Sequence, residues 1–227
     1  MPHRRELIVG LSASFTALLA RSAWAQSRTA SCVLTPVTSE GPYYFDPKLV
    51  RSDITEKQPG VPLALEVRVV SANDCKPIPK ARIDIWHAGA NGVYSGYSSQ
   101  YGTGSTPNRS AEGKTYLRGT QFADGQGLTR FRTIYPSWYR GRTPHIHFKV
   151  FLEPREVAVS QLYFQDKVSD GVFASSSAYS SRRRDRDTFN EDDMFLRDRV
   201  GGAFCEVDKN GEGAAAAYRA SVVIGIA

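Results

Sequence analysis

His145-Ile146-His147-Phe148-Lys149-Val150-Phe151-Leu152 alternates residue by residue. In an extended chain successive side chains point to opposite faces, so His145 and His147 project from one face while Ile146, Phe148, Val150 and Leu152 project from the other. The stretch predicts a β-strand that holds two imidazoles side by side and is backed by an apolar face. Pro144 just before it has no N–H to donate, which suits the start of a strand. Six residues upstream of His145, Tyr139 lies in a loop containing Gly141, long enough to fold back over the histidines.

The same alternation recurs outward from this segment. Leu63 to Val69 and Ala81 to His87 alternate apolar and polar, and Phe131, Ile146 to Leu152, Val157 to Phe164 and Ala216 to Ile226 supply further β segments. Asn73-Asp74, Asp124-Gly125-Gln126-Gly127 and Asp208-Lys209-Asn210-Gly211 read as the turns between them. The pattern predicts an all-β chain of antiparallel sheets packed as a sandwich, with little helix. Residues 95–115, rich in Ser, Gly and Tyr, read as a long loop over the mouth of a site. Residues 170–200 read as a polar insertion with a short helix near Asp192 to Arg197.

Tyr94, in Asn91-Gly92-Val93-Tyr94-Ser95-Gly96-Tyr97, joins Tyr139, His145 and His147 in the spacing of a four-ligand iron site. A phenol titrates near ~10, so a phenolate ligand at neutral pH needs a strong Lewis acid, and ferric iron suits that donor set better than zinc. Ordinary packing competes with this for any one of the 11 tyrosines. The histidines narrow the choice: of four, His3 falls in the N-terminal leader, and two of the remaining three share one motif. His87 is expected to pack beside the site.

With these residues in view, the sequence resembles the intradiol ring-cleavage dioxygenases, the family of catechol, hydroxyquinol and protocatechuate dioxygenases. The resemblance runs through Leu34-Thr35-Pro36, Glu40-Gly41-Pro42-Tyr43-Tyr44, Pro77-Ile78, Ala81 to Ala88 and Gly92 to Tyr97. It continues through Leu117-Arg118-Gly119, Arg130 to Ile134, Pro136 to His147 and Gln161-Leu162-Tyr163-Phe164. It implies an immunoglobulin/prealbumin-like β-sandwich holding one non-haem Fe(III), with Tyr94 and His147 equatorial and Tyr139 and His145 axial. Arg142 matches the arginine that steadies charge on the bound catecholate, and Gln161 a glutamine of the same pocket. Tyr139 doubles as the base that accepts a phenolic proton. The implied reaction cleaves a catechol-type ring between its hydroxyl-bearing carbons with O2, giving a cis,cis-muconate-type dicarboxylic acid.

Pro42, Tyr43 and Trp138 are candidates for contacting the substrate ring; turn formation and packing on the sandwich are the alternatives. A competing function is a non-catalytic secreted β-sandwich binding module with an incidental metal site. Two phenols and a guanidinium around two imidazoles argue against it. A zinc or copper enzyme using only the histidines would need a third histidine or a carboxylate at a recognisable spacing.

The N-terminus reads as an export leader: Arg4-Arg5, an apolar stretch from Leu7 to Ala20, then Ala23-Trp24-Ala25 as a cleavage site. The paired arginines resemble a twin-arginine signal. Residues 1–25 are thus expected to direct export to the periplasm or medium, leaving 26–227 as a single catalytic domain that needs no membrane. The net charge of +6 becomes about +4 without the leader. The basic run Arg182-Arg183-Arg184 with Arg186 is flanked by Asp185, Asp187, Glu191, Asp192 and Asp193, which argues against a nucleic-acid surface. Cys32, Cys75 and Cys205 allow one disulfide and one leftover thiol, with the pairing open. Only about ten residues separate Gln26 from Thr35-Pro36, so the helical dimerisation region of catechol dioxygenases has no counterpart there. A monomer or another kind of homo-oligomer is expected.

Overall fold

A computed structural model describes residues 33–100, 109–184, 186–197, 202–211 and 217–227, all within one compact unit spanning Ser31–Ala227. The proposed leader and Cys32 lie outside the described residues. Among the described residues nine strands form two sheets: β1 (Pro62–Ser71), β4 (Leu128–Ile134), β8 (Glu206–Asn210) and β9 (Ala217–Ile226) in the order β4-β1-β9-β8, and β2 (Arg82–His87), β3 (Arg118–Phe122), β5 (His145–Leu152), β6 (Arg155–Tyr163) and β7 (Ala203–Phe204) in the order β3-β2-β5-β6-β7.

The alternation read from the sequence is what joins the sheets. Leu63, Leu65, Val67 and Val69 of β1 are fully buried and share one core with Ile83 and Ile85 of β2 and Ile146, Phe148 and Val150 of β5. Burying such a face is the dominant favourable contribution to folding, about 1.5–3 kcal/mol for each fully buried Val, Leu, Ile or Phe. The sandwich is not purely antiparallel, however. β1 pairs in parallel with β9, and β6 in parallel with β7. Both parallel pairs join strands far apart in the chain, so no hairpin turn could have announced them.

Two further corrections concern short elements. Asp208 to Asn210, expected in a turn, belongs to the exposed strand β8, paired with β9. β3 carries no alternating apolar pattern. It is set by pairing with β2, and Gly119 is needed because a Cβ there would lie 2.5 Å from Ile54 Cγ2. The 170–200 region holds more helix than expected: α1 (Asp166–Ser175), α2 (Ser180–Arg184) and α3 (Met194–Arg197), the last where a short helix was anticipated. It is also less polar in effect, since Val172, Phe173 and Tyr179 sit in the main core. Among the described residues no helix is long and apolar enough to cross a membrane. Cys75 is disulfide-bonded, and Cys205 is a buried free thiol.

Candidate metal centre

The strand period puts His145 and His147 on the face of β5 that looks away from the core. The register extends this face sideways: Trp86 of β2 lies opposite His147, Arg118 of β3 opposite Trp86, and on the other flank Gln161 and Tyr163 of β6 lie opposite His147 and His145. Trp86 stacks flat on the His147 ring, with centroids 4.9 Å apart and an interplanar angle of 8°. His87, one residue on, points to the opposite face. Its Nε2 meets Thr133 Oγ1 at 2.7 Å on the facing sheet and its Nδ1 donates to the Ala88 carbonyl at 2.9 Å. The expectation that His87 packs beside the site is corrected: it bridges the two sheets inside the sandwich.

Loops bring the two phenols to the histidines. Tyr139 and Arg142 exchange backbone hydrogen bonds at 2.8 and 3.2 Å across Arg140-Gly141, and Gly141 takes a φ of 80° that suits a residue without Cβ. Tyr94 follows Gly92, where a Cβ would approach the Trp138 carbonyl to 2.8 Å. The Gln100 side chain fixes the Tyr94 backbone from both sides, accepting from its N–H and donating to its carbonyl, each at 2.7 Å. Tyr94, Tyr139, His145 and His147 are all buried.

Their donor atoms converge. Tyr94 Oη lies 3.2 Å from His145 Nε2 and 3.1 Å from His147 Nε2, the two Nε2 atoms are 3.1 Å apart, and Tyr139 Oη is 3.4 Å from His145 Nε2. His145 Nδ1 donates to the Thr143 carbonyl at 2.7 Å, which leaves its Nε2 lone pair facing the cluster. His147 Nδ1 is buried without a hydrogen-bond partner. Burial, reinforced by Arg142, holds both imidazoles well below their usual range, and burial lifts the Tyr94 phenol far above its own and the Tyr139 phenol upward. By themselves these are four neutral donors crowding their lone pairs on one spot. A hard cation is what would let both phenols ionise there. Two phenol oxygens and two bare imidazole nitrogens therefore fit Fe(III). Among the described residues no three His, Cys, Asp or Glu side chains gather into a metal-binding group.

Arg142 is buried beside this cluster. Its Nη1 donates to Tyr139 Oη at 3.4 Å and its Nη2 to Gln161 Oε1 and, at 3.2 Å, to Tyr163 Oη, while Tyr163 Oη donates to the same Gln161 oxygen at 2.7 Å. Burial opposes its charge, but Tyr139 and Asp193 outweigh that and keep the guanidinium firmly protonated. Asp193, fully buried, accepts from Arg142 Nε at 2.9 Å. That pairing is not legible in the sequence, where Asp193 stands in an acidic run that flanks several arginines. Two of those arginines have other partners: Arg186 pairs with Asp166 and Asp170, and Arg182 lies over the Trp138 ring at 4.0 Å.

Residues 39–45 form a strap across the same face. Ser39 O accepts from Gln161 Nε2 at 3.4 Å, Glu40 pairs with Lys149, and Tyr44 Oη donates to Asp84 at 2.9 Å. Tyr43 stacks on Tyr94 with centroids 4.8 Å apart. Gly41, at a φ of 72°, lies so close that a Cβ would stand 3.4 Å from His147 Cε1. The candidate ring contacts thus separate. Tyr43 adjoins the donors and Pro42 is exposed on the strap. Trp138 belongs to the sandwich core, its Nε1 donating to the Arg182 carbonyl at 2.8 Å, so of its two sequence readings the structure shows packing on the sandwich.

Comparison with known proteins bears on the family and the fold. The Dioxygenase family model matches residues 39–194, from the strap through Asp193. A solved intradiol ring-cleavage dioxygenase from Tetranychus urticae superposes with a TM-score of 0.73 at 27% identity, covering 86% of this chain and 95% of that one. The dioxygenase domain of a dioxygenase and carbohydrate-binding fusion from Streptomyces sp. SirexAA-E gives a TM-score of 0.55 at 27% identity, covering 86% and 99%. Catechol 1,2-dioxygenase of Acinetobacter baylyi is 33% identical over 111 residues, 46% of this chain and 32% of that protein. The chain spans between a third and a half of the length of the curated relatives it matches, 32% to 51%. The family match over most of the chain, the sandwich shared with a solved member along nearly its whole length, and the four convergent donors together show that the chain belongs to the intradiol ring-cleavage dioxygenase family.

Proposed function

We propose that this protein is a non-haem Fe(III) intradiol dioxygenase that opens a catechol-type ring between its hydroxyl-bearing carbons with O2, giving a cis,cis-muconate-type dicarboxylic acid. The observation that carries the proposal is the convergence of Tyr94, Tyr139, His145 and His147 within 3.1–3.4 Å contacts. Bound through these four side chains, ferric iron would supply the Lewis acidity that ionises the phenols and draws in the catechol oxygens.

The protein's own groups do the rest. Tyr139 Oη, which lies between the donor cluster and Arg142, accepts a proton from a catechol hydroxyl. Arg142 Nη1, 3.4 Å from that oxygen, stabilises negative charge developing on the substrate, in a setting where burial strengthens its effect. Gln161 and Tyr163 hold the Nη2 edge of the guanidinium and keep Nη1 turned toward the cluster. Trp86 fixes the His147 ring from behind, and Tyr43 with the strap limits access of water. We propose also that residues 1–25 direct export, which N-terminal sequencing of the processed protein would test.

The test is spectroscopic first. Iron-loaded protein should show a visible tyrosinate-to-iron absorption that changes on adding catechol and weakens strongly in Tyr94→Phe. In air, catechol should be consumed with one O2 per ring and muconate formed. A colourless protein that takes up no iron, or one that binds iron but yields no ring-opened product from catechol, protocatechuate or hydroxyquinol, would refute the assignment.

A further inference from the structure

The segment 188–193, read from sequence as part of a polar insertion, is a clasp on the loop that carries Arg142. Thr188 Oγ1 accepts from the Gly141 N–H at 3.0 Å, Asn190 Oδ1 accepts from Thr143 Oγ1 at 2.8 Å, and one oxygen of Asp193 accepts both the Thr143 N–H at 3.0 Å and Arg142 Nε at 2.9 Å. The other Asp193 oxygen accepts the Phe195 N–H at 3.0 Å and so caps α3, whose Phe195 ring lies 4.5 Å from the Arg142 guanidinium carbon. Asp193 has no solvent exposure, so these partners offset the cost of burying a carboxylate there.

The geometry points to Asp193 as the positioning residue of the site, acting on two adjacent residues at once. Through Nε it fixes the guanidinium so that both Nη atoms face inward, Nη1 to Tyr139 and Nη2 to Gln161 and Tyr163. Through the Thr143 N–H it also fixes the residue whose carbonyl accepts His145 Nδ1–H at 2.7 Å, and with it the orientation and tautomer of that imidazole. A carboxylate bonded to the far edge of an arginine leaves the near edge pre-organised for developing charge. A short side chain at the head of a capped helix holds that orientation more rigidly than solvent would. Asp193 touches neither donor cluster nor substrate, and acts through Arg142 and Thr143.

This assignment rests on the proposed role of Arg142 toward bound catecholate, so its test has one arm that needs no turnover. In metal-free protein the Arg142 Nε–H, identified by its absence in Arg142→Gln, should exchange with solvent slowly. Asp193→Asn should speed that exchange by roughly tenfold or more. In iron-loaded protein Asp193→Asn should lower kcat by about 10–100-fold with little change in KM, and the visible absorption should persist. The double variant Asp193→Asn/Arg142→Gln should be no slower than Arg142→Gln alone. If Asp193→Asn does not fold, Asp193→Glu keeps the charge while moving it by one methylene, and the same two readouts should fall part-way. Unchanged exchange and unchanged kcat in a folded variant would overturn the proposal, as would losses that add in the double variant. Absence of catechol cleavage by the wild-type protein would remove the functional reading instead, and the exchange arm would still decide the positioning of Arg142.

Discussion

His87 is a neutral imidazole sealed between the two sheets, and replacing it should make the fold less sensitive to acid. Burial holds its pKa down to about 4, helped by nearby Arg118, despite the hydrogen bond to Ala88 O. The unfolded chain has an ordinary histidine near ~6.5. Because the folded value is the lower one, the contribution is fully present above ~6.5 and is lost as the pH falls from there through about 4. The gap corresponds to about 3 kcal/mol at full titration, and to about 2 kcal/mol already lost on going from about pH 7.5 to about pH 5. His87→Gln retains an acceptor for Thr133 and a donor for Ala88 but does not titrate. Urea unfolding of metal-free protein at the two pH values, wild type against variant, reads the term, since His145 and His147 are present in both chains and His87 is only the smallest of the causes that lower their pKa values. Wild type should lose about 2 kcal/mol more than His87→Gln over that interval. An equal loss in the two chains would refute the reasoning that an uncharged His87 joins the sheets.

Two further substitutions test the strap and the core. Gly41→Ala puts a Cβ at a φ of 72° and 3.4 Å from His147 Cε1, so it should cost about 1 kcal/mol and lower Tm by roughly 2–4 °C; an unchanged Tm in calorimetry would mean that the strap shifts freely. Trp138→Ala should cost about 3–5 kcal/mol in chemical unfolding, as a core truncation does, while KM for catechol stays within about threefold; a large rise in KM with stability intact would return Trp138 to the pocket.

What the sequence made legible was whatever a strand period encodes. His145 and His147 share a face because they are two apart, and Ile146, Phe148 and Val150 fill the core for the same reason. Tyr94, Tyr139, Arg142 and Gln161 were reached through motif resemblance, and the structure gathers them at the histidines. The same periodicity, taken one strand further, should have excluded His87: in β2 the residue that lines up with His147 is Trp86. What stayed hidden depends on contacts distant along the chain. Asp193 meets Arg142 across 51 positions, and the β1–β9 pairing joins residues as far apart in the chain as Leu63 and Tyr218. Composition even pointed the wrong way at Asp193, because a run of mixed charge looks self-neutralising until the fold carries one member inside.

The division between strand and loop also bears on how the site could work. Both imidazoles stand on a central strand with neighbours on each side, one stacked on Trp86 and the other tied to Thr143, so neither can move without disturbing the sheet. The two phenols come from turns, and they are not held alike. Tyr94 Oη contacts both imidazole nitrogens at 3.1–3.2 Å, its ring lies under Tyr43, and its backbone is gripped on both sides by Gln100. Tyr139 Oη lies 3.4 Å from His145 Nε2, interacts with the Tyr94 phenol, and accepts from Arg142 Nη1 at 3.4 Å. The proposed function asks one phenol to stay and the other to accept a proton, and the unequal anchoring suits that division. The guanidinium lies beside Tyr139, held from behind by Asp193, so in the proposed reaction its Nη1 edge would already face the charge that develops there.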